Sequence, residues 1–244
     1  MISREDINRA LMICVVVFVS FTTFSQITSG RILYERKTNL KKLFKDNQRM
    51  KNMNMDLSTR IEEFELYFND TSSAFLPIEG DEELGWSKYL TSHNIIYKNL
   101  NKQEKLAVLD MWGTEMYVRD AMIKRDWKIT SNKRKLGGYM CRKAFWEMND
   151  STRIYAWFSV DVVPSIGPEG FDGLPGAILG LATENGTIIY FAKEVEALKP
   201  DKEKLVRDVK GKDVYTIAEL REILIEKMGR WVKPKDIDSM FSWL

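Results

Sequence analysis

The strongest constraint on the fold is an Asn-Gly pair between two segments rich in apolar side chains. Asn185 and Gly186 separate residues 177–184 from residues 187–195. Asn and Gly tolerate the positive φ angles of a two-residue turn, so this arrangement predicts a β-hairpin.

A second hairpin is predicted just before the first. Residues 136–147 and 152–163 flank the turn-forming pair Asn149-Asp150. In the second of these segments, apolar side chains occupy every second position: Ile154, Ala156, Phe158, Val160 and Val162. A period of two is typical of a strand with one buried face. Two adjacent hairpins indicate an antiparallel sheet of several strands.

The remaining segments add strands in the first half and a helix at the end. Residues 30–37 and 60–69 alternate like strands, and residues 41–55 favour a helix. Thr216 followed by Glu219 forms a capping box, which predicts a C-terminal helix. Short strands near residues 95–97 and 114–119, and a polar connection over residues 71–83, complete the prediction. We therefore expect one α+β domain over residues 26–244, dominated by a curved antiparallel sheet or half-barrel.

Charge and cysteine content exclude several function classes. The chain has 37 Lys and Arg against 35 Asp and Glu, which argues against a dedicated nucleic-acid binder. His93 is the only histidine, so a His-rich zinc site is excluded. Cys14 and Cys141 are the only cysteines and cannot form a disulfide scaffold or a four-Cys metal site. We expect no metal and no cofactor.

The first 25 residues have the order of a secretory signal peptide. Arg4 and Arg9 precede an apolar stretch at residues 11–21, which is too short to span a bilayer. Small residues before Gln26 predict cleavage between Ser25 and Gln26. We expect a protein exported across the inner membrane to the periplasm or beyond, with no stable membrane span after cleavage. An uncleaved anchor helix is the alternative.

The loop between the two hairpins is rich in glycine and proline. Residues 164–176 read PSIGPEGFDGLPG, with glycine at every third position from Gly167 to Gly176. Proline fixes φ and glycine permits positive φ, so a stiff loop shaped by its backbone is expected. Leu174 is the large side chain of its GLPG tetrapeptide and is predicted to be a buried anchor.

At this loop the chain resembles the GLPGLI family of secreted bacterial proteins. The signature is DGLPGAILGL at residues 172–181, and GRILYE, FELYFND, WKIT, GGYMCRKA and AWFS fit the family in the same order. Ala177 replaces the family's leucine, and Phe158 stands where tyrosine is common. The resemblance implies export and a domain covering nearly the whole mature chain, and it supplies no catalytic residues.

The candidate reactive groups have simpler structural explanations. Cys141 would need a histidine to activate its thiol, and a small buried side chain in a strand explains it equally well. Asp161, Glu169 and Asp172 are oxygen ligands near a glycine-rich loop, but they match no calcium-loop spacing. We expect these three carboxylates to be solvated.

One strand face combines aromatic and polar side chains in a way that suits a binding site. Tyr155 and Trp157 alternate with core residues and share a face with Asp161. The candidate binding residues are therefore Tyr155, Trp157, Asp161, Gly173, Leu174, Pro175 and Gly176. Two short basic runs, at residues 41–45 and 133–135, are expected to be solvated.

These features favour a non-enzymatic binding or interaction protein of the envelope. Its partner would be an apolar ligand, a peptide or an envelope protein. The sequence contains no recognisable nucleophile motif, metal constellation or phosphate loop, which makes an enzyme the less favoured class. The alternative is a secreted hydrolase-type enzyme that uses carboxylates near the GLPG loop.

Overall fold

The computed structural model describes residues 26–45, 47, 50, 52, 56–80, 90–111, 113–149 and 152–244. The predicted signal peptide and its cleavage site at Ser25 lie outside or at the limit of this part. Asp150 of the predicted turn and several residues of the predicted helix over residues 41–55 also lie outside it.

The described chain forms one open, twelve-stranded sheet. Its strands are β1 (Gly30–Asn39), β2 (Thr59–Phe68), β3 (Ser72–Pro77), β4 (Ile95–Asn99), β5 (Glu104–Met111), β6 (Thr114–Ala121), β7 (Lys128–Leu136), β8 (Tyr139–Asn149), β9 (Thr152–Ser159), β10 (Ala177–Thr183), β11 (Ile188–Ala197) and β12 (Val214–Tyr215). The spatial order is β12-β6-β5-β4-β3-β2-β1-β11-β10-β9-β8-β7. All described pairs are antiparallel except β12 with β6. The predicted α+β, antiparallel-dominated fold is confirmed.

Within the residues that the structure describes, the helices are few and short. They are α1 (Leu40–Leu43), α2 (Lys202–Leu205), α3 (Ile217–Met228) and α4 (Pro234–Met240). The capping box predicted for the C-terminal helix is present, since Thr216 accepts from the Glu219 backbone and Glu219 accepts from the Thr216 backbone. Among the described residues, no helix is long and apolar enough to cross a bilayer.

Both predicted hairpins are present. Thr183 and Ile188 bound the β10–β11 turn, in which Gly186 has φ 66°. The segment predicted as one strand over residues 136–147 differs, because Gly137 and Gly138 form a further turn between β7 and β8, with φ of 54° and 90°. Glycine adopts such angles readily, which allows the chain to reverse direction at this point.

Two predictions in the first half need correction. The polar connection over residues 71–83 contains a strand, β3, whose Ala74 and Phe75 are buried. Strand β5 was not expected, because its apolar residues 106–109 are contiguous. The structure explains this: Leu106 and Val108 pack in one apolar cluster, whereas Ala107 and Leu109 pack in the main core. Both faces of β5 are therefore covered.

One face of the sheet, called here the inner face, carries the main core. On β1 it holds Ile32 and Tyr34, both fully buried. Residues 164–176, called here the signature loop, and the C-terminal segment cover this face, where Phe171 and Trp243 meet at 5.1 Å between ring centroids. The sheet thus wraps around a loop of its own chain.

Candidate functional site

The signature loop is anchored on the inner face as its composition predicted. The Leu174 side chain is 2% exposed, and Phe171 is completely buried. The Gly176 N–H donates to the Leu174 carbonyl at 2.8 Å, and the Gly173 N–H donates to Ser165 Oγ at 2.8 Å. The predicted burial of Leu174 is confirmed, while Gly173 and Pro175 remain exposed.

Gly176 occupies a position that no other residue fits. Its φ is 130°, and a Cβ there would lie 2.1 Å from the Ser159 carbonyl oxygen. The loop therefore passes against the end of β9 at a separation that requires glycine.

The first of two buried ionic clusters is built around Asp172. Its carboxylate lies 2.8 Å from Lys98 Nζ and 3.7 Å from Arg125 Nη1. Lys98 also donates to the Phe171 carbonyl at 3.0 Å, and Arg125 donates to the Gly170 carbonyl at 3.0 Å. Lys105 lies opposite Lys98 on the neighbouring strand, and burial lowers the pKa of its ammonium to about 8. Two buried cations thus contact one loop carboxylate, and a third lies on the neighbouring strand.

The second cluster is built around Glu169. Its carboxylate accepts a hydrogen bond from Tyr190 Oη at 2.6 Å and lies 3.5 Å from Arg36 Nη1. Arg36 also contacts Glu62 at 2.7 Å, and His93 Nε2 lies 2.8 Å from Glu62. These contacts link the loop to β1, β2 and β11.

The pKa values of the two carboxylates in this cluster move in opposite directions. Burial raises the pKa of Glu169, and the nearby charge of Arg36 offsets this only in part. Burial also opposes ionisation of Glu62, but hydrogen bonding to His93 and the charge of Arg36 outweigh it and lower the pKa to about 2. Glu62 is therefore ionised over the whole physiological range.

The expectation that the loop carboxylates are solvated is wrong for two of the three. Glu169 and Asp172 are 1% and 4% exposed, because basic residues far away in sequence fold against them. Asp161 is half-buried and accepts a bond from Ser159 Oγ at 3.3 Å. No sequence signal linked Arg36, Lys98 or Arg125 to the loop.

Tyr155 and Trp157 lie on the outer side of the sheet, opposite the inner face. Lys143 Nζ lies 4.0 Å from the Tyr155 ring centroid and 5.7 Å from that of Trp157. The Arg134 guanidinium lies 5.9 Å from the Trp157 ring, and Phe145 meets Tyr155 at 6.4 Å. Cations over ring faces are attracted by the ring quadrupole. We call this outer surface of β7–β9 the basic aromatic face.

The three strands that carry the basic aromatic face are more basic than the chain as a whole. Strands β7, β8 and β9 contain seven cations and one carboxylate, and the chain as a whole carries a net charge of +2. The cations are Lys128, Lys133, Arg134, Lys135, Arg142, Lys143 and Arg153, and none of them is buried. The predicted exposure of the basic run at residues 133–135 is confirmed.

The predicted binding residues therefore fall into separate groups. Tyr155 and Trp157 belong to the basic aromatic face, and Gly173–Gly176 belong to the loop on the inner side. Asp161 lies between them, where its carbonyl accepts from the Ile27 N–H at 2.8 Å. They do not form one pocket.

The geometry of the described residues does not favour metal binding or a reactive cysteine. Within these ranges, no group of three His, Cys, Asp or Glu side chains is placed to hold a metal ion. Cys141 is fully buried, and burial raises the pKa of its thiol to about 11. Its predicted place in the core is confirmed.

Comparison with known proteins identifies a shared fold and no family. No family model and no curated protein matches the chain. The structure of PNGF-II in its C2 crystal form aligns with a TM-score of 0.52 and 17% identity, covering 77% of this chain and 30% of that one. The P21 form aligns with a TM-score of 0.53 and 16% identity, covering 80% and 33%. At this identity the likeness shows the fold alone, and the chain spans about a third of the PNGF-II chains that it matches.

Proposed function

We propose that this protein is an exported, non-enzymatic binding protein of the GLPGLI family. Its partner is an acidic, extended protein segment of the cell envelope, and the contact surface is the basic aromatic face. The observation that carries the proposal is the concentration of cations around three half-buried rings on adjacent strands. Lys128, Arg134, Lys143 and Arg153 each lie within 5.9 Å of the centroid of Phe145, Tyr155 or Trp157.

The position of β7 supports an extended partner. It is the last strand of the sheet, and among the described residues it pairs with β8 alone. An extended peptide binds such an edge by adding a strand, with main-chain hydrogen bonds for affinity and side-chain contacts for specificity. Lys133, Arg134 and Lys135 on β7 then favour acidic side chains in that peptide.

The loop carboxylates support binding over hydrolysis. Glu169 and Asp172 are buried and each faces at least one cation, at 3.5 Å and 2.8 Å respectively. A general acid or nucleophile must reach its substrate. In this arrangement both carboxylates serve to hold the signature loop.

A synthetic peptide of alternating Glu and Val tests the proposal, with a Lys-Val peptide as the charge control. The acidic peptide should bind, and added salt should weaken it by screening. The Arg134→Glu, Lys143→Glu double variant should bind about tenfold more weakly or worse, which corresponds to 1.4 kcal/mol. The matched double variant Lys102→Glu, Lys124→Glu changes the net charge equally at exposed remote sites and should bind normally.

Two results would overturn the proposal. One is equal binding of the acidic peptide by both double variants. The other is tighter binding of single-stranded DNA than of the acidic peptide, which would assign the face to nucleic acid.

The export part of the proposal has its own test. The mature protein should begin at Gln26 in the envelope fraction, because the first residues have the order of a signal peptide. N-terminal sequencing that finds Met1 on a cytoplasmic protein would contradict export.

A further inference from the structure

A separate cleft lies at one end of the sheet, between α1, the β10–β11 turn and the C-terminal segment. It is open to solvent on one side and has a volume of about 390 Å³, and Lys42, Leu43, Ile188 and Trp243 are among its lining residues. Sites for small organic ligands begin at volumes of roughly 300 Å³. The cleft shares no lining side chain with the rings of the basic aromatic face.

The walls of the cleft are apolar on one side. Leu43 is 39% exposed, so part of its side chain is available to a ligand at the rim. The Trp243 indole packs against the rings of Phe171 and Tyr190, at centroid distances of 5.1 Å and 6.1 Å. The signature loop therefore holds the indole in place, and the cleft has a rigid aromatic wall.

Lys42 places a positive charge at the rim of the cleft. Lys42 Nζ donates to the Asn185 carbonyl at 2.7 Å, which fixes its ammonium at the turn. Lys45 also lines the cleft. The lining carboxylate, Glu184, lies 3.6 Å from Arg153 and accepts from Tyr155 Oη at 3.2 Å, so its charge is already engaged.

We propose that this cleft binds a small amphipathic organic anion. The anionic head, a carboxylate or similar group, pairs with the Lys42 ammonium. The hydrocarbon part lies against Leu43, Ile188 and Trp243. This arrangement of a few polar groups around an apolar wall is typical of small-molecule sites. The inference is independent of the partner proposed for the basic aromatic face.

Three probes separate the contributions of head and tail. Octanoate has both the anion and the tail, acetate has the anion alone, and octylammonium has the tail with the opposite charge. Calorimetric titration of the full chain should give saturable binding of octanoate and none of acetate or octylammonium.

Variants at the rim keep the test specific to the cleft. Lys42→Glu should weaken octanoate binding about tenfold or more, because it places a negative charge beside the head group, and Leu43→Ala should weaken it less. Lys102→Glu, an exposed lysine outside the cleft, is the matched control and should bind octanoate normally. Circular dichroism confirms that each variant is folded.

Three outcomes would overturn the inference. They are failure of octanoate to saturate, equal binding of octylammonium, and unchanged octanoate affinity in a folded Lys42→Glu variant.

Discussion

Replacing Asp172 by Asn removes the negative charge that two buried cations contact. The carboxylate lies 2.8 Å from Lys98 and 3.7 Å from Arg125, and both cations have almost no exposed side-chain surface. At an effective dielectric constant of about 20, the closer pair alone attracts by roughly 6 kcal/mol. Part of this offsets the cost of burying the charges, and removal of one partner from such a pair typically costs about 3–5 kcal/mol. Because Asn keeps an acceptor for Lys98, we expect a loss near the lower value, about 3 kcal/mol.

Urea unfolding followed by tryptophan fluorescence measures this loss. Asp161→Asn is the matched control, since the Asp161 side chain is half-buried and accepts one long hydrogen bond, from Ser159 Oγ at 3.3 Å. The control should change the free energy of unfolding by no more than about 0.5 kcal/mol. Equal stabilities of the two variants would refute the view that Asp172 clamps the signature loop.

Four further predictions concern the loop, a turn, a buried acid and the thiol. Leu174→Ala should lower the free energy of unfolding by about 2–5 kcal/mol, because the anchor is 2% exposed; denaturant titration checks this, and an unchanged midpoint would contradict it. Gly186→Val should cost about 1–3 kcal/mol, because φ is 66° there; a wild-type melting temperature would show that the turn tolerates the side chain. The pKa of Glu62 falls from 4.5 to about 2 on folding, so its stabilisation is complete above pH 4.5 and is lost as pH drops towards 2. Glu62→Gln should therefore lower the free energy of unfolding by roughly 3 kcal/mol at neutral pH. It should also weaken the loss of stability that the wild type shows below pH 4.5, and an unchanged loss would rule this out. The Cys141 thiol should react slowly with maleimide at neutral pH, because burial raises its pKa to about 11. Cys141→Ala should keep peptide binding, and fast labelling with loss of binding would revive a functional thiol.

Local patterns in the sequence predicted the elements that have one buried face. Strand β1 alternates with a period of two, and the Asn185-Gly186 turn and the Thr216 cap are short-range signals. Strand β5 has no such alternation, because both of its faces are covered. The outer cover of β5 includes Val209 and Val214, which lie far away in sequence and meet the strand only in the folded chain.

The burial of Glu169 and Asp172 could not be predicted from the local sequence. Asp172 is 74 residues from Lys98, and Glu169 is 21 residues from Tyr190 along the chain. An acidic residue in a glycine-rich loop is usually solvated, and here long-range packing overrides that tendency. The anchoring of Leu174 was predictable because it is the large apolar side chain of its tetrapeptide.

The sequence predicted the two β9 rings of the basic aromatic face but not the cations that lie over them. Alternation along β9 placed Tyr155 and Trp157 together, but the cations that cover these rings come from β7 and β8. Pairing of β8 with β9 sets Lys143 directly opposite Trp157. That register depends on irregular ladders, which the sequence pattern does not specify.

The most direct test of the central claim is a residue-by-residue map of where the acidic peptide binds. Backbone amide NMR of the isotope-labelled mature protein, recorded during titration with the Glu-Val peptide, provides this map. The account predicts shift changes concentrated in β7, β8 and β9, strongest around Arg134, Lys143 and Trp157, with little change in the signature loop. Shift changes centred on the signature loop, or none at saturating peptide, would contradict it.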